Sequence, residues 1–454
     1  MEGVPSAEAC RGRVPGPCWV RVRWLLLLLS LVAVAPPAWS QDGGPSPLPR
    51  WLSLQFEERG RFEDFTGLTY RPGRNDAYYL NRLRFELDAM PAKWLRFHVQ
   101  GQDSRASGHR APVPSRVQDP VDLRLAFVDL GAFDGPGWSL RAGRQEIAYG
   151  DERLIGGAEW SNVPRSFDAV RLAWQRPGAR LEWFVAAEAA PDGEQFDRFG
   201  TEGRLAGFYA SFRPNHRGLL VEPYFFWTAS QDEPGEAGVT GAKDVYTAGI
   251  RLKGPLPRQF DYSLEAAAQT GNQAGDPLRA GAAALVLGYT LDPLVPGLRV
   301  FAEYDYSSGD GDPTDGRIGT FDNLYPTNHG KYGIADRQGW RNMHGARAGA
   351  QKRLTRCWRL QLDYHSFWLA NRNDYLYWAN GAPIARNPNA TSNHAGHEID
   401  VQSLIRLNRH FELNVGWAHL FPGRLVLEST PGSPVTFAYA QLCFKAALGA
   451  RQGR

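Results

Sequence analysis

Arginine at every second position is the most chemically pointed feature of this sequence. Arg59 and Arg61, Arg82 and Arg84, then Arg96, Arg124, Arg141 and Arg171 fall on one register of successive segments, and Arg144 joins them if a bulge at Gly143 shifts its strand. The guanidinium is a planar fork of five donors that does not deprotonate, so such a row suits carboxylate, phosphate or sulfate groups moving past it. Acids share the register at Glu57, Glu86, Asp88 and Asp122. Farther along, the same face turns acidic, with Glu182, Glu188, Glu222, Glu265, Glu303, Asp305, Asp363, Glu398 and Asp400. Opposed cationic and acidic arcs describe a wall that attracts anions without trapping them. The competing reading is that these charges pair with one another and brace the wall.

Other chemistry is thinly supported. No nucleophile elbow, paired-histidine zinc helix or phosphate-cradling glycine loop occurs, so no catalytic residue, cofactor or metal is expected. His394 and His397 have H-x-x-H spacing beside Glu398, but at a loop-to-strand junction they read as solvated histidines rather than a metal pair. The run from Asp310 through Asp312 to Asp315 resembles half of a calcium loop, yet the position of the closing glutamate is Phe321, and an acidic Gly-rich turn is the simpler reading.

The elements that must position the arginines are strands. From Trp51 to Phe62, polar Gln55, Glu57, Arg59 and Arg61 alternate with Leu52, Leu54, Phe56 and Phe62. The alternation then repeats around Leu83–Ala89 and Leu95–Val99, and in fifteen further segments from Val121–Leu130 to Val435–Lys445. That makes 18 candidate strands. Their connections alternate long and short, with tight Pro/Gly turns at Pro214–Gly218, Gly254–Arg258 and Asp292–Gly297, and with the longest loop at Ser308–Arg341. Turns on one rim and loops on the other describe an all-β fold, a transmembrane up-and-down antiparallel β-barrel of 18 strands. Such a barrel pairs every backbone amide within a closed sheet and sets an apolar outside against a wet lumen. Trp51, Tyr78, Tyr79, Trp94, Trp138, Tyr149, Trp174, Trp227, Trp358, Trp368, Trp417 and Tyr439 lie near segment ends, as interfacial girdles require.

Composition narrows the class further. A mean hydropathy of −0.41 excludes a polytopic helical membrane protein, and a net charge of +3 gives no electrostatic footprint for nucleic acid. Residues 1–40 read as a signal peptide: Arg11, Arg13, Arg21 and Arg23 precede an apolar run from Trp24 to Ala35, and Ala38 and Ser40 form an A-x-A-like site. The mature chain then comprises a short periplasmic segment at 41–50, the barrel at 51–445 and a tail at 446–454 beyond Phe444. It keeps Cys357 and Cys443, as one bridge or two thiols.

Several stretches resemble the alginate-export family of outer-membrane barrels. They are Gly143-Arg144-Gln145-Glu146, Tyr149 through Gly156, Trp160-Ser161-Asn162, Arg165 through Asp168, Gly319 through His329, Tyr332-Gly333, Asp336, Gly339 through Asn342, and Tyr439 through Leu442. The resemblance implies a monomeric 18-stranded barrel in the bacterial outer membrane, with both termini periplasmic and an arginine-lined constriction. It also implies that a loop from Asp310 to Trp340 narrows the mouth, with Asp322, Asn328, His329, Asp336, Trp340 and Arg341 at the constriction. The expected partners are an anionic polysaccharide or small anionic solutes, outer-membrane lipid and the barrel-assembly machinery. The expected function is a channel for anionic solutes, with export of an acidic polysaccharide such as alginate as its specific form. A general diffusion porin is the alternative, and an outer-membrane enzyme working through lumen carboxylates is the least favoured class.

Overall fold

Period-two alternation closes into a barrel in the computed structural model, which describes residues 48–110, 116–200, 203–214, 218–236, 238–292 and 294–449. The expected signal peptide at 1–40, most of the 41–50 segment and the end of the 446–454 tail lie outside the described residues. The first nine strands are β1 (Leu52–Thr66), β2 (Asp76–Ala92), β3 (Leu95–Ser107), β4 (Asp119–Gly131), β5 (Gly137–Gln145), β6 (Phe167–Arg176), β7 (Ala179–Glu188), β8 (Gly203–Phe212) and β9 (Leu220–Pro234). Then come β10 (Thr240–Pro255), β11 (Phe260–Gln273), β12 (Asp276–Thr290), β13 (Leu298–Ser307), β14 (Met343–Arg353) and β15 (Trp358–Leu369). A small hairpin of β16 (Leu376–Tyr377) and β17 (Pro383–Ala385) sits in the next loop, before β18 (His394–Arg406), β19 (Phe411–Pro422), the short helix α1 (Arg424–Ser429) and β20 (Val435–Leu448). Without that hairpin, eighteen antiparallel strands each pair with their neighbour, and β1 closes the ring by pairing with β20 from Leu54↔Leu448 to Thr66↔Thr436.

The two faces separate as lipid demands. Leu83, Phe85, Phe97, Val99, Val170, Leu172, Val185, Leu285, Leu287 and Leu362 are exposed outward, whereas Arg59, Arg61, Arg82, Arg84, Glu182, Glu303 and Asp400 are buried inside. The barrel interior is also where the apolar core lies. Ile147, Leu154, Ile155, Phe321, Tyr332 and Trp340 come from two loops, 146–166 and 308–342, and pack against wall residues Phe184, Leu205, Phe226 and Phe367. Both loops therefore fold into the lumen.

Several boundaries differ from the sequence expectation. Strand β5 ends at Gln145 rather than Tyr149, because Ile147 and Tyr149 turn inward with the loop. Strand β20 runs on to Leu448, so the first residues of the expected tail are paired strand. The bulge at Gly143 on which an inward Arg144 depended is absent: the ladders to β4 and β6 run unbroken through it. A bulge does occur at Arg124, where Gln100 faces Leu125 and Gly101 faces Leu123. Of the aromatic residues assigned to girdles, Trp51, Trp94, Trp138, Trp358 and Trp417 are exposed outside, but Tyr439 is buried in the lumen and the half-buried Tyr149 turns inward to stack on Tyr209. Cys357 and Cys443 are free thiols.

Candidate functional site

The loop 146–166 crosses the lumen and brings opposite charge to each wall. On the wall of β1, β2 and β4, the Glu159 carboxylate is held by Arg82 (Nη2–Oε1 2.7 Å) and bidentately by Arg84 (2.6 and 3.2 Å), with Arg124 at 3.4 Å. Burial alone would raise the Glu159 carboxyl, but Arg82, Arg84 and Arg124 outweigh it and hold the group well below the usual carboxylate range. Arg59 donates to the carbonyls of Glu159 and Ser161 (3.1 Å each) and to Asn162 Oδ1 (3.0 Å). Arg61 donates to the Trp160 carbonyl (2.6 Å) and its guanidinium lies 3.8 Å from the indole centroid. Asn162 closes this end by donating to the carbonyls of Val117 (3.0 Å) and Asn81 (3.1 Å).

At the other end of the same loop the signs reverse. Arg153 donates to Asp305 (2.8 Å) and the Tyr332 hydroxyl (2.8 Å) and pairs with Glu303, all on the acidic side. Asp151 binds Arg251 of β10 (2.5 and 3.0 Å), which also pairs with Glu222. Arg347 spans Glu303 (3.2 Å) and Asp363 (3.1 Å). The two arcs seen in the sequence thus grip one loop from both sides.

The loop 308–342 lies against the first loop. Leu154 accepts from Tyr325 N (2.8 Å), Gly156 N donates to the Tyr325 carbonyl (2.8 Å), and Thr327 N donates to the Glu152 carbonyl (2.9 Å). Asp322 pairs with Lys243 of β10, and its backbone carbonyl and amide bond the Gln269 side-chain amide; burial alone would raise its carboxyl, but Lys243 and Arg341 bring it down to about 2. Asn328 donates to the Ala379 carbonyl, and His329 stacks on Trp160 at 3.8 Å while its Nδ1 lies 2.9 Å from Asp336. Trp340 is fully buried with Nε1 donating to the Tyr306 carbonyl (3.0 Å), and Arg341 sits 4.6 Å over Tyr377. Lys331 is pushed down to about 8 by burial beside Arg153.

The remaining arginines have local partners. Arg96 pairs with Asp88 (2.9 Å), Arg141 bidentately with Asp129 (2.6 and 2.9 Å), and Arg171 with Glu182 (2.6 Å). Arg144 is a correction to the expected register. With no bulge at Gly143 it stands opposite Asp168 on the outer face, bound at 3.0 Å through both nitrogens, and not with Arg141 and Arg171 inside. In the acidic Gly-rich turn, Asp310 accepts from the amides of Asp312 and Gly319 (2.9 Å each) and Asp312 from the Thr314 hydroxyl (2.6 Å); these bonds close the turn. His397 Nδ1 lies 2.7 Å from the Tyr364 hydroxyl.

Glu159, Arg153 and Asn162 are the residues that strand periodicity alone misses, since they belong to a loop. Arg153 and Asn162 fall in the stretches that carry the family resemblance, and Glu159 lies just before one of them.

Comparison with known proteins agrees with this architecture. A profile described as "Alginate export" matches residues 50–438. Among solved structures, the chain is similar to Acinetobacter baumannii OccAB1 (TM-score 0.61, 11% identity, covering 90% of this chain and 100% of that one). It is also similar to the Pseudomonas aeruginosa outer membrane protein opdK (0.59, 8%, 87% and 98%) and to Pseudomonas aeruginosa OccK3 (OpdO) (0.58, 12%, 87% and 96%). At these identities the likeness is one of fold. No curated protein matches the chain.

Proposed function

This chain belongs to the alginate-export family and is an outer-membrane channel, and from that premise we propose that it passes anionic solutes along the wall of β1, β2 and β4, with acidic polysaccharides such as alginate as its cargo class. The observation that carries this reading is the Glu159 carboxylate, which sits on Arg82, Arg84 and Arg124 with half of its side chain open. A uronate carboxylate presents the same two oxygens to the same planar forks. Glu159 is half exposed while the guanidinium groups beneath it are buried, so a passing carboxylate reaches Arg82, Arg84 and Arg124 by taking its place. Withdrawal of the loop at that end then offers Arg59, Arg61, Arg82, Arg84 and Arg124 as successive stations. Arg96, Arg141 and Arg171 lie farther along the wall.

The channel works as a monomer without covalent chemistry, after export on the 1–40 signal and insertion by the barrel-assembly machinery. A second reading, a general diffusion porin, is favoured by the local pairs Arg61–Glu63, Arg96–Asp88, Arg141–Asp129 and Arg171–Glu182, which leave those arginines little free charge.

Planar-bilayer recording separates the two. The anion reading expects anion-selective current in a salt gradient, blocked by oligouronates at about millimolar concentration. Glu159→Gln then raises conductance and tightens the block roughly fivefold, the equivalent of an exposed ion pair of about 1 kcal/mol. Weakly selective current indifferent to oligouronates in both proteins would leave the general porin.

A further inference from the structure

The acidic wall holds more carboxylates than it has cations to meet them. Glu303, Asp305 and Asp363 share Arg153 and Arg347. Glu398 and Asp400, 0% and 1% exposed, have no Lys or Arg within 4 Å among the described residues. Strands β15 and β18 set Asp363 opposite Asp400 and His365 opposite Glu398, so these four side chains form a two-by-two patch on the lumen face. One oxygen of each β18 acid is taken by the loop above: Ala335 N donates to Glu398 Oε1 (2.9 Å) and Ile334 N to Asp400 Oδ2 (3.2 Å). Glu398 Oε2, Asp400 Oδ1 and His365 Nε2 are buried with no hydrogen-bond partner among the described residues, and His365 is 1% exposed. Its Nε2 is 3.3 Å from Asp400, and ligand atoms of Asp363, His365 and Asp400 all lie within 4.8 Å of one another.

Uncompensated buried acids and an orphaned imidazole nitrogen are costly unless something pairs with them. We propose that this patch binds one divalent first-row transition metal ion of the zinc class through His365 Nε2, Asp400 and Asp363, beneath the Ile334 end of loop 308–342, which it would pin to the wall. The mixed donor set selects the ion: imidazole nitrogen with carboxylate oxygen suits Zn2+ and its neighbours, whereas Ca2+ and Mg2+ take oxygen alone. Arg347 (3.1 Å) and Gln361 (2.6 Å) orient the Asp363 carboxylate, and Glu398 stands beside the site. The Ile334 amide holds the liganding Asp400 carboxylate in place as an outer-shell donor, and the Ala335 amide does the same for Glu398 beside it. The inference is independent of the solute the channel carries.

Zinc retained by the refolded mature barrel after desalting, measured by plasma mass spectrometry, tests it. One ion per barrel is expected in the unaltered protein. His365→Gln and Asp400→Asn lower affinity at least tenfold, while His394→Gln with His397→Gln keeps the ion. Cobalt substitution of the unaltered barrel reads imidazole ligation through its d–d absorption, so the answer does not depend on the variants folding. No retained metal in the unaltered barrel would overturn the proposal. Retention undiminished in His365→Gln, or lost only when His394 and His397 are changed, would overturn it equally.

Discussion

The two ends of loop 146–166 are held by the same chemistry at very different depths. Glu159 meets Arg82 and Arg84 with 52% of its side chain exposed, whereas Arg153 meets Glu303 and Asp305 with 4% of its side chain exposed. Solvent reaches the acid of the first grip and leaves it open to exchange, and burial of both partners makes the second one hard to break. Only six positions separate the two residues, and their opposite signs fix which way round the loop sits. Turned about, it would set Glu159 against Glu303 and Arg153 against Arg82. The acidic arc is thus an anchor, and the cationic arc is a latch.

Removing the anchor has the largest expected effect. Arg153→Ala leaves Glu303 with Arg347 alone, removes the cation paired with Asp305 and strips Tyr332 of its donor. Breaking a buried pair of this kind costs about 3–5 kcal/mol. Urea unfolding of the detergent-refolded barrel, together with protease cleavage in 146–166 on the intact barrel, measures it. A loss no larger than that of Glu159→Gln would erase the distinction between anchor and latch.

Acid sharpens the comparison at lower cost. The Asp322 carboxyl lies at about 2 in the folded chain against 3.8 ordinarily, and Glu159 is shifted the same way. A depressed carboxyl contributes stability that is complete above its unfolded value and is lost as pH falls through the folded one. For Asp322 this is on the order of 2 kcal/mol, lost between pH 4 and 2. Both loops should therefore loosen in that window, with conductance rising as they do. Lys243→Met, which removes the partner of Asp322, should move the rise to higher pH, and an unchanged midpoint would take Asp322 out of the closure.

How much of this was legible in the sequence follows from what periodicity can report. Alternation such as Leu83, Phe85 and Leu87 against Arg82, Arg84 and Glu86 is a direct record of a two-faced sheet, so strand number, closure and the sign of each arc could be read. What the arcs hold was not legible. Ile147, Leu154 and Ile155 are apolar in a stretch with no period, and nothing local says that they turn into a lumen rather than outward. The inward fold is written in non-local matches, Glu159 with Arg82 and Arg153 with Asp305, across 77 and 152 positions. The Pro/Gly turns were easy because each forms its shape alone.

Arg144 gives the smallest effect and the most direct check of register. A one-residue slip moves every side chain to the other face, so the unbroken ladder through Gly143 puts Arg144 outside, three positions from the inward Arg141. Gly143 makes this possible at φ +122°, a backbone shape that few other residues adopt and that keeps the close approach to the Ala126 carbonyl. The Arg144 guanidinium is then bound to Asp168 and the Asp197 carbonyl (3.1 Å), outside the ion path. Arg144→Gln should cost about 1 kcal/mol of stability and leave the reversal potential where it was. A selectivity shift as large as that of Glu159→Gln would put Arg144 in the lumen after all, and with it a bulge at Gly143 that the ladder does not contain.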